Sequence, residues 1–420
     1  MKTIPSSKKS ILKNGLRIIS EKIPTVRSVA LGILIGAGSG NETTEESGLS
    51  HLIEHMAFKG TGKRTAIQLA HALDAVGGKM NAYTTKEYTV YYAMVLDKHI
   101  DTAVDVLCDM LQGSLFAPKA IEMEKGVILE EIKMYEDTPD ELVHDLFAEK
   151  ILHGHPIGKP TIGNNETVSS FSRDSIMNYR QKWYSPQNTI VSLAGAIPPR
   201  ISEKIKSYLG SWKGKENVPR PTSPEIKGSI NLRRKKTEQV HLCLGVKGVS
   251  QVDEDRYPYA VLDNILGGSM GSRLFQEVRE KRGLVYSIYS TSSPFRNFGI
   301  SYVYAGTSEK NLAEVIELIL KQFRQIKTAG VSPEELERAK EYLKGTLVLG
   351  LESTSARMNW LAKSEFYYGR TMTIDEVFDK VDKISQADII KLANRFFRDE
   401  YLTLAVIGDL EKLPVKEIHC

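Results

Sequence analysis

Apolar positions along the chain recur with two periods, and the switches between them mark the elements. ILKNGLRIISEK (11–22) holds two apolar runs around Asn14-Gly15, a pair that favours a hairpin turn. SVALGILIGAGSG (28–40) is a continuous apolar run closed by glycines, which reads as a strand. Residues 47–58 and AIQLAHALDAVGG (66–78) repeat every three to four positions, the second ending on Gly77-Gly78 as helices commonly do. KMNAYTTKEYTVYYAMVL (79–96) alternates like two paired strands. Helical periodicity follows over about 100–114 and 117–150, and 166–210 runs helix, strand (NTIVSLAGAI), helix.

Residues 213–228 hold three prolines and little apolar content, and beyond them the order of elements starts again. EQVHLCLGVKGV matches SVALGILIGAG, and YAVLDNILGG stands where the first half has the helix containing HLIEH. FGISYVYAG and the helix 309–328 match TVYYAMVL and the helix 100–114, and VSPEELERAKEYLKGTL parallels FAPKAIEMEKGVILEEI. The offset is roughly 210–215 residues throughout, which implies an internal duplication. The expected fold class is α+β: two duplicated domains, 1–215 and 229–420, joined by a linker at 216–228. Each would be a mostly antiparallel sheet with helices packed on one face.

A length of 420 residues suits two such domains. A net charge of +4 is too weak to argue for nucleic acid or a membrane surface, and no partner of either kind is expected. Cys108, Cys243 and Cys420 are odd in number and form no CxxC pair, so neither a disulfide framework nor a thiolate metal site is indicated. No apolar stretch is long enough to span a bilayer, and MKTIPSSKKSILKNG lacks the apolar run of a secretory signal. A cytoplasmic location is the expectation.

The chemistry concentrates in Gly48-Leu49-Ser50-His51-Leu52-Ile53-Glu54-His55, which contains H-x-x-E-H. Positions i and i+4 of a helix lie one turn apart, so His51 and His55 can reach one ion. Glu54, beside them, can take a proton from water activated at the metal and return it to a leaving amine. The same five residues also fit two histidines on an ordinary amphipathic helix. A zinc hydrolase needs a third protein ligand and one open position. IEMEKGVILEEIKMYED (121–137) offers Glu124 and Glu131, two helical turns apart on one face. Glu130 lies ~100° around the helix from Glu131, so both cannot point at one ion.

The pentapeptide followed by a Glu 76 residues after His55 resembles the pitrilysin family of zinc peptidases, which includes insulysin and the mitochondrial processing peptidase. The similarity runs through GSGNETTEESGLSHLIEHMAFKGT, MNAYTTKEYT and GGSMGSRLFQEVREKRGLVYS. The length matches the single-duplication branch near the processing peptidase beta subunit and its bacterial relatives. The resemblance implies one Zn2+ per chain, held by His51, His55 and Glu131, with Glu54 as base and Glu124 as a supporting carboxylate. It implies that Asn81, Ala82 and Tyr83 lie on an edge strand to which substrate adds. It also implies that Arg279 and Tyr286 bind the substrate backbone and polarise the scissile carbonyl, and that Glu141 and Asp145 receive an arginine near the cleavage site. In the second half NILGGSMGSRLF replaces HLIEHMAFKGT, so no metal is expected there.

The expected activity is zinc-dependent endopeptidase cleavage of extended peptides or unfolded segments, enclosed between two half-clamshells. Because the chain keeps both the zinc set and the Arg/Tyr pair, the resemblance implies a homodimer in which each zinc faces the partner's Arg/Tyr pair. The alternative is a catalytically silent scaffold or partner subunit of the same family.

Overall fold

A computed structural model describes residues 7–214 and 222–420. The first six residues, and 215–221 of the expected linker region, lie outside the described residues. Strands of the first half are β1 (Lys8–Ile11), β2 (Arg17–Lys22), β3 (Ser28–Ile35), β4 (Lys79–Thr84), β5 (Thr89–Leu96) and β6 (Thr189–Gly195). Those of the second are β7 (Ser229–Arg234), β8 (Val240–Gly248), β9 (Val285–Pro294), β10 (Gly299–Thr307) and β11 (Thr403–Gly408). Helices in the first half are α1 (Leu49–Met56), α2 (Ala66–Asp74), α3 (Ile100–Gly113), α4 (Pro118–Glu136), α5 (Pro139–Ile151), α6 (Asn165–Ser170), α7 (Arg173–Trp183) and α8 (Ile201–Leu209). There follow α9 (Arg256–Leu266), α10 (Leu312–Ala329), α11 (Pro333–Gly350), α12 (Thr354–Tyr368), α13 (Ile374–Asp382) and α14 (Gln386–Phe396).

The strands form two sheets, ordered β1-β2-β6-β3-β5-β4 and β7-β11-β8-β10-β9. In the first, β2 and β6 run parallel and all other neighbours antiparallel. In the second, β7 and β11 run parallel and the rest antiparallel. Leaving β1 aside, the two orders and directions coincide strand for strand. The α+β class and the duplication are therefore written in the topology. The helical stretch 117–150 is two helices, because Pro139 has no N–H to donate and disfavours helical geometry at Thr138.

Both faces of each sheet are covered, which explains why β3, after its first residue, and β6 are buried throughout rather than alternating. On the first sheet Leu31, Ile33 and Ile35 face the core shared with α1, α2, α3, α4, α7 and α8. Ala30 and Leu34 face the other way and pack with Met358, Leu361 and Ala362 of α12. On the second sheet Leu242, Leu244 and Val246 pack with α9, α10 and α14. Its opposite face, with Cys243, Ile300, Tyr304 and Ile407, receives Val143, Leu146 and Phe147 of α5.

This placement redraws the domain boundaries. Instead of the contiguous spans 1–215 and 229–420, one compact unit comprises 7–133, 159–214 and 350–372. The other comprises 134–158, 222–349 and 373–420. Helices α5 and α12 thus serve the sheet of the opposite half. Helical periodicity shows that each has an apolar face but not which sheet that face covers. Helices accordingly lie on both faces of each sheet, where one face was expected.

Candidate metal centre

Helix α1 starts abruptly, and the reason is local. Gly48 precedes it at φ +95°, in the left-handed region, with a would-be Cβ 2.7 Å from the Ile162 carbonyl oxygen. A glycine is required there. Having no side chain, Gly48 cannot cap the helix. Glu42 does so instead, its carboxylate accepting from the Gly48 N–H at 2.8 Å and the Ser50 N–H at 2.7 Å. Burial pushes the Glu42 carboxyl up to about 8, while those two bonds pull against the shift. The Ser50 hydroxyl meets the Tyr179 hydroxyl of α7 at 2.8 Å, tying the same turn to the core. Glu42→Ala would leave buried N–H groups unanswered and is expected to destabilise the chain by about 1–3 kcal/mol. An unchanged denaturant midpoint would contradict this capping role.

The turn so fixed presents His51 and His55 side by side, their ring centroids 4.4 Å apart. From α4, Glu131 brings Oε2 to 4.0 Å from His51 Nε2 and 3.9 Å from His55 Nε2. Among the described residues this is the one group of at least three potential ligands whose donor atoms converge within 4.8 Å. Glu130, next to it, points elsewhere and pairs with Lys133 at 2.6 Å on the exposed side of the helix.

His55 Nδ1 lies 3.2 Å from Glu124 Oε1, and the other Glu124 oxygen meets Lys59 Nζ at 2.6 Å. The Glu124 carboxylate accepts from both, so His55 donates through Nδ1 and turns Nε2 toward Glu131. Burial, with the neighbouring His55 adding to it, lowers His51 to about 4, so this ring is neutral at pH 7. Two imidazole nitrogens and a carboxylate oxygen aimed at one point form an arrangement that a cation between them would satisfy. Zinc bonds of ~2.0–2.1 Å would put tetrahedral donors ~3.3–3.5 Å apart, so the observed spacing needs to contract by about half an ångström. The donor set fits a zinc ion with three protein ligands and one open position.

Glu54 is half-buried on the same turn, and its Oε2 accepts from the Thr84 hydroxyl at 2.6 Å. Burial raises its carboxyl above the ordinary value, with the Thr84 bond and His55 pulling it back. Thr84 ends β4, the edge of its sheet, so the strand carrying Asn81, Ala82 and Tyr83 passes beside the metal ligands. Ala82 is buried, Asn81 is exposed, and Tyr83 donates its hydroxyl to Asn359 of α12 at 2.9 Å. The outer backbone edge of β4 has no strand partner among the described residues.

The remaining expected residues lie in the second unit. Arg279 sits in a π-helical turn, Phe275–Glu280, a geometry found often at functional sites. Its guanidinium lies 4.8 Å from the Phe275 ring centre and 5.8 Å from that of Tyr286, which is 78% exposed on the edge strand β9. The structure thus brings Arg279 and Tyr286 together. Glu141 and Asp145 share one face of α5, and Tyr135 is raised to about 12 by burial, with both carboxylates adding to it. Because α5 belongs to the second unit, this pair is not part of the domain that carries the metal ligands, as the contiguous boundaries had implied. Gly267 passes close to β9, where a Cβ would lie 2.4 Å from the Ser290 nitrogen.

Thr84, Lys59 and Glu42 went unassigned in the sequence. Lys59 sits one turn beyond His55, and Thr84 is the fourth residue of Asn81-Ala82-Tyr83-Thr84. Spacing alone singles out neither.

Residues 17–165 match the family described as "Insulinase (Peptidase family M16)", and 170–343 match "Peptidase M16 inactive domain". The latter covers the half where Asn264, Gly267 and Gly268 stand in place of His51, Glu54 and His55. A Bacillus subtilis protein named "Uncharacterized zinc protease YmxG" is 42% identical over 407 residues, covering 97% of this chain and 99% of that protein. An uncharacterized zinc protease of Streptomyces coelicolor is 39% identical over 99% of this chain and 92% of its own length. Among solved structures, a protease from Helicobacter pylori superimposes with a TM-score of 0.89 at 21% identity, over 96% of this chain and 99% of that one. A Pseudomonas fluorescens structure titled as a peptidase M16 inactive domain gives 0.88 at 18% identity, over 97% and 100%. At those identities the structures speak for the fold. With both halves matched and relatives aligned over nearly their whole lengths, the chain belongs to peptidase family M16, the pitrilysin family its motifs resemble.

Proposed function

We propose that this chain is a zinc-dependent endopeptidase acting on extended peptides or unfolded segments. The observation that carries the reading is the triangle of His51 Nε2, His55 Nε2 and Glu131 Oε2, with Glu54 on the same helical turn. Zinc held there would supply a Lewis acid for the scissile carbonyl and acidify water. Glu54 takes the proton from the attacking water and hands it to the leaving nitrogen. Its raised proton affinity brings it nearer the range a base needs at neutral pH. Glu124, held by Lys59, keeps the His55 ring turned so that Nε2 would be the atom offered to zinc.

Support for a peptide substrate comes from β4. An edge strand with an unpaired outer side can accept an extended chain through main-chain hydrogen bonds, which ask for no particular sequence. Beside it opens a recess of about 200 Å3 lined mainly by Phe58, Leu69, Leu73 and Met80, with Asp74 in its wall, which offers room for a substrate side chain. Arg279 and Tyr286 supply donors for a peptide carbonyl, and Glu141 with Asp145 a seat for an arginine. The test is digestion of a diverse peptide library with mass-spectrometric mapping of the cuts. Internal cleavages that vanish on chelation support the reading. Intact peptides in the presence of stoichiometric zinc would favour the silent-scaffold alternative.

The working form we propose is a homodimer, in which the zinc of one chain acts with Arg279 and Tyr286 of the other. A Glu54→Gln chain mixed with a Tyr286→Phe chain then forms hybrids with one intact site. Random exchange puts about half the dimers in that form, so roughly a quarter of wild-type activity returns. No recovery despite demonstrated exchange would exclude a shared site and leave the metal assignment untouched.

A further inference from the structure

Glu54 does not stand alone: its Oε2 is held at 2.6 Å by the Thr84 hydroxyl, and that hydroxyl lies 3.3 Å from Thr89 Oγ1. Thr89, fully buried, gives its own proton to the Ala37 carbonyl at 2.9 Å. The direction of this chain follows from the donors. Because the Thr89 proton is committed to Ala37, Thr89 can offer Thr84 only a lone pair. The Thr84 proton is therefore free to go to either neighbour, and the ionised Glu54 carboxylate at the shorter distance takes it.

We propose that Thr84 is a positioning residue for the catalytic base: its hydroxyl anchors Oε2 of Glu54 and leaves Oε1 for the attacking water. The placement has a second consequence. Thr84 is the last residue of β4, the strand offered to substrate, so the base is fastened to the element that an added peptide strand would engage. Thr89 sits opposite Thr84 in the β4–β5 register and forms the buried end of the same device. The proposal rests on the peptidase reading of the site.

The test uses full-length protein carrying zinc, with Thr84→Val, Thr84→Ser and Thr89→Val. Valine keeps the shape of threonine and removes the hydroxyl. Losing a hydrogen bond to a charged group predicts a kcat lower by roughly 10–100-fold in Thr84→Val, with KM and zinc per chain unchanged. Thr84→Ser should recover most of the wild-type kcat, and Thr89→Val should fall between the two. A merely structural role would instead lower thermal stability or zinc content and leave kcat per zinc-loaded chain intact. The second readout needs no activity: crystal structures of the metal-free Thr84→Val and wild-type proteins. Here Glu54 should leave its wild-type rotamer or spread over several. Wild-type kcat in Thr84→Val, or a Glu54 that stays in place without the hydroxyl, would overturn the proposal. If the wild-type zinc protein itself cleaves no peptide, the peptidase reading fails, and the rotamer comparison still decides whether Thr84 holds Glu54.

Discussion

Glu54→Gln is expected to lower turnover by roughly 10²–10⁴-fold while zinc stays bound. The amide is nearly isosteric with the carboxylate and can still accept the Thr84 hydroxyl, so the turn carrying His51 and His55 has no reason to shift. What it cannot do is hold a proton between water and the leaving nitrogen. The loss should therefore appear in kcat, with KM little changed, because the peptide grip proposed for β4 does not involve Glu54. Zinc analysis beside steady-state kinetics checks both halves of the statement. Near wild-type turnover would mean that another group is the base, and loss of zinc would mean that Glu54 is a ligand.

The second large effect concerns the three glutamates of α4. Glu131→Gln removes the one carboxylate that, among the described residues, meets both histidines, at 3.9 and 4.0 Å, and should leave a two-ligand site that loses zinc on dialysis. Glu124→Gln is expected to be milder, about 10–100-fold in affinity, since it removes the carboxylate that orients His55 rather than a bond to the ion. Glu130→Gln should change little, because its partner is Lys133 on the solvent side. The order of zinc retention, Glu130→Gln above Glu124→Gln above Glu131→Gln, is the readout. A deeper loss at Glu130 than at Glu131 would overturn the geometry.

Much of this was legible in the sequence, because it depends on helical spacing. His51 and His55 one turn apart, and Glu131 rather than Glu130 on the ligand face, follow from 3.6 residues per turn together with the family pattern. The duplication was legible because element order survives even where residues have diverged, as Asn264 and Gly268 have from His51 and His55. What escaped depends on contacts between elements distant in sequence. Nothing in the run TTKEYT says that Thr84 turns toward a helix thirty residues earlier. Glu42 reads as one acidic residue in an acidic loop, and its capping role appears only once Gly48 is known to start α1 without a side chain. The exchange of α5 and α12 escaped for a similar reason. Leu146 and Phe147 announce an apolar face, but the face they cover, around Cys243 and Ile300, is assembled from strands a hundred residues downstream.

If a single zinc on His51, His55 and Glu131 makes this chain a peptidase, a metal titration shows it. Purified full-length chain is stripped with a chelator, zinc is returned in measured amounts, and cleavage of an unfolded polypeptide is followed at each addition. The stripped chain should cleave nothing, and activity should rise in proportion to zinc until one equivalent per chain. Cleavage that persists without metal, or one bound equivalent that never brings activity, would contradict it.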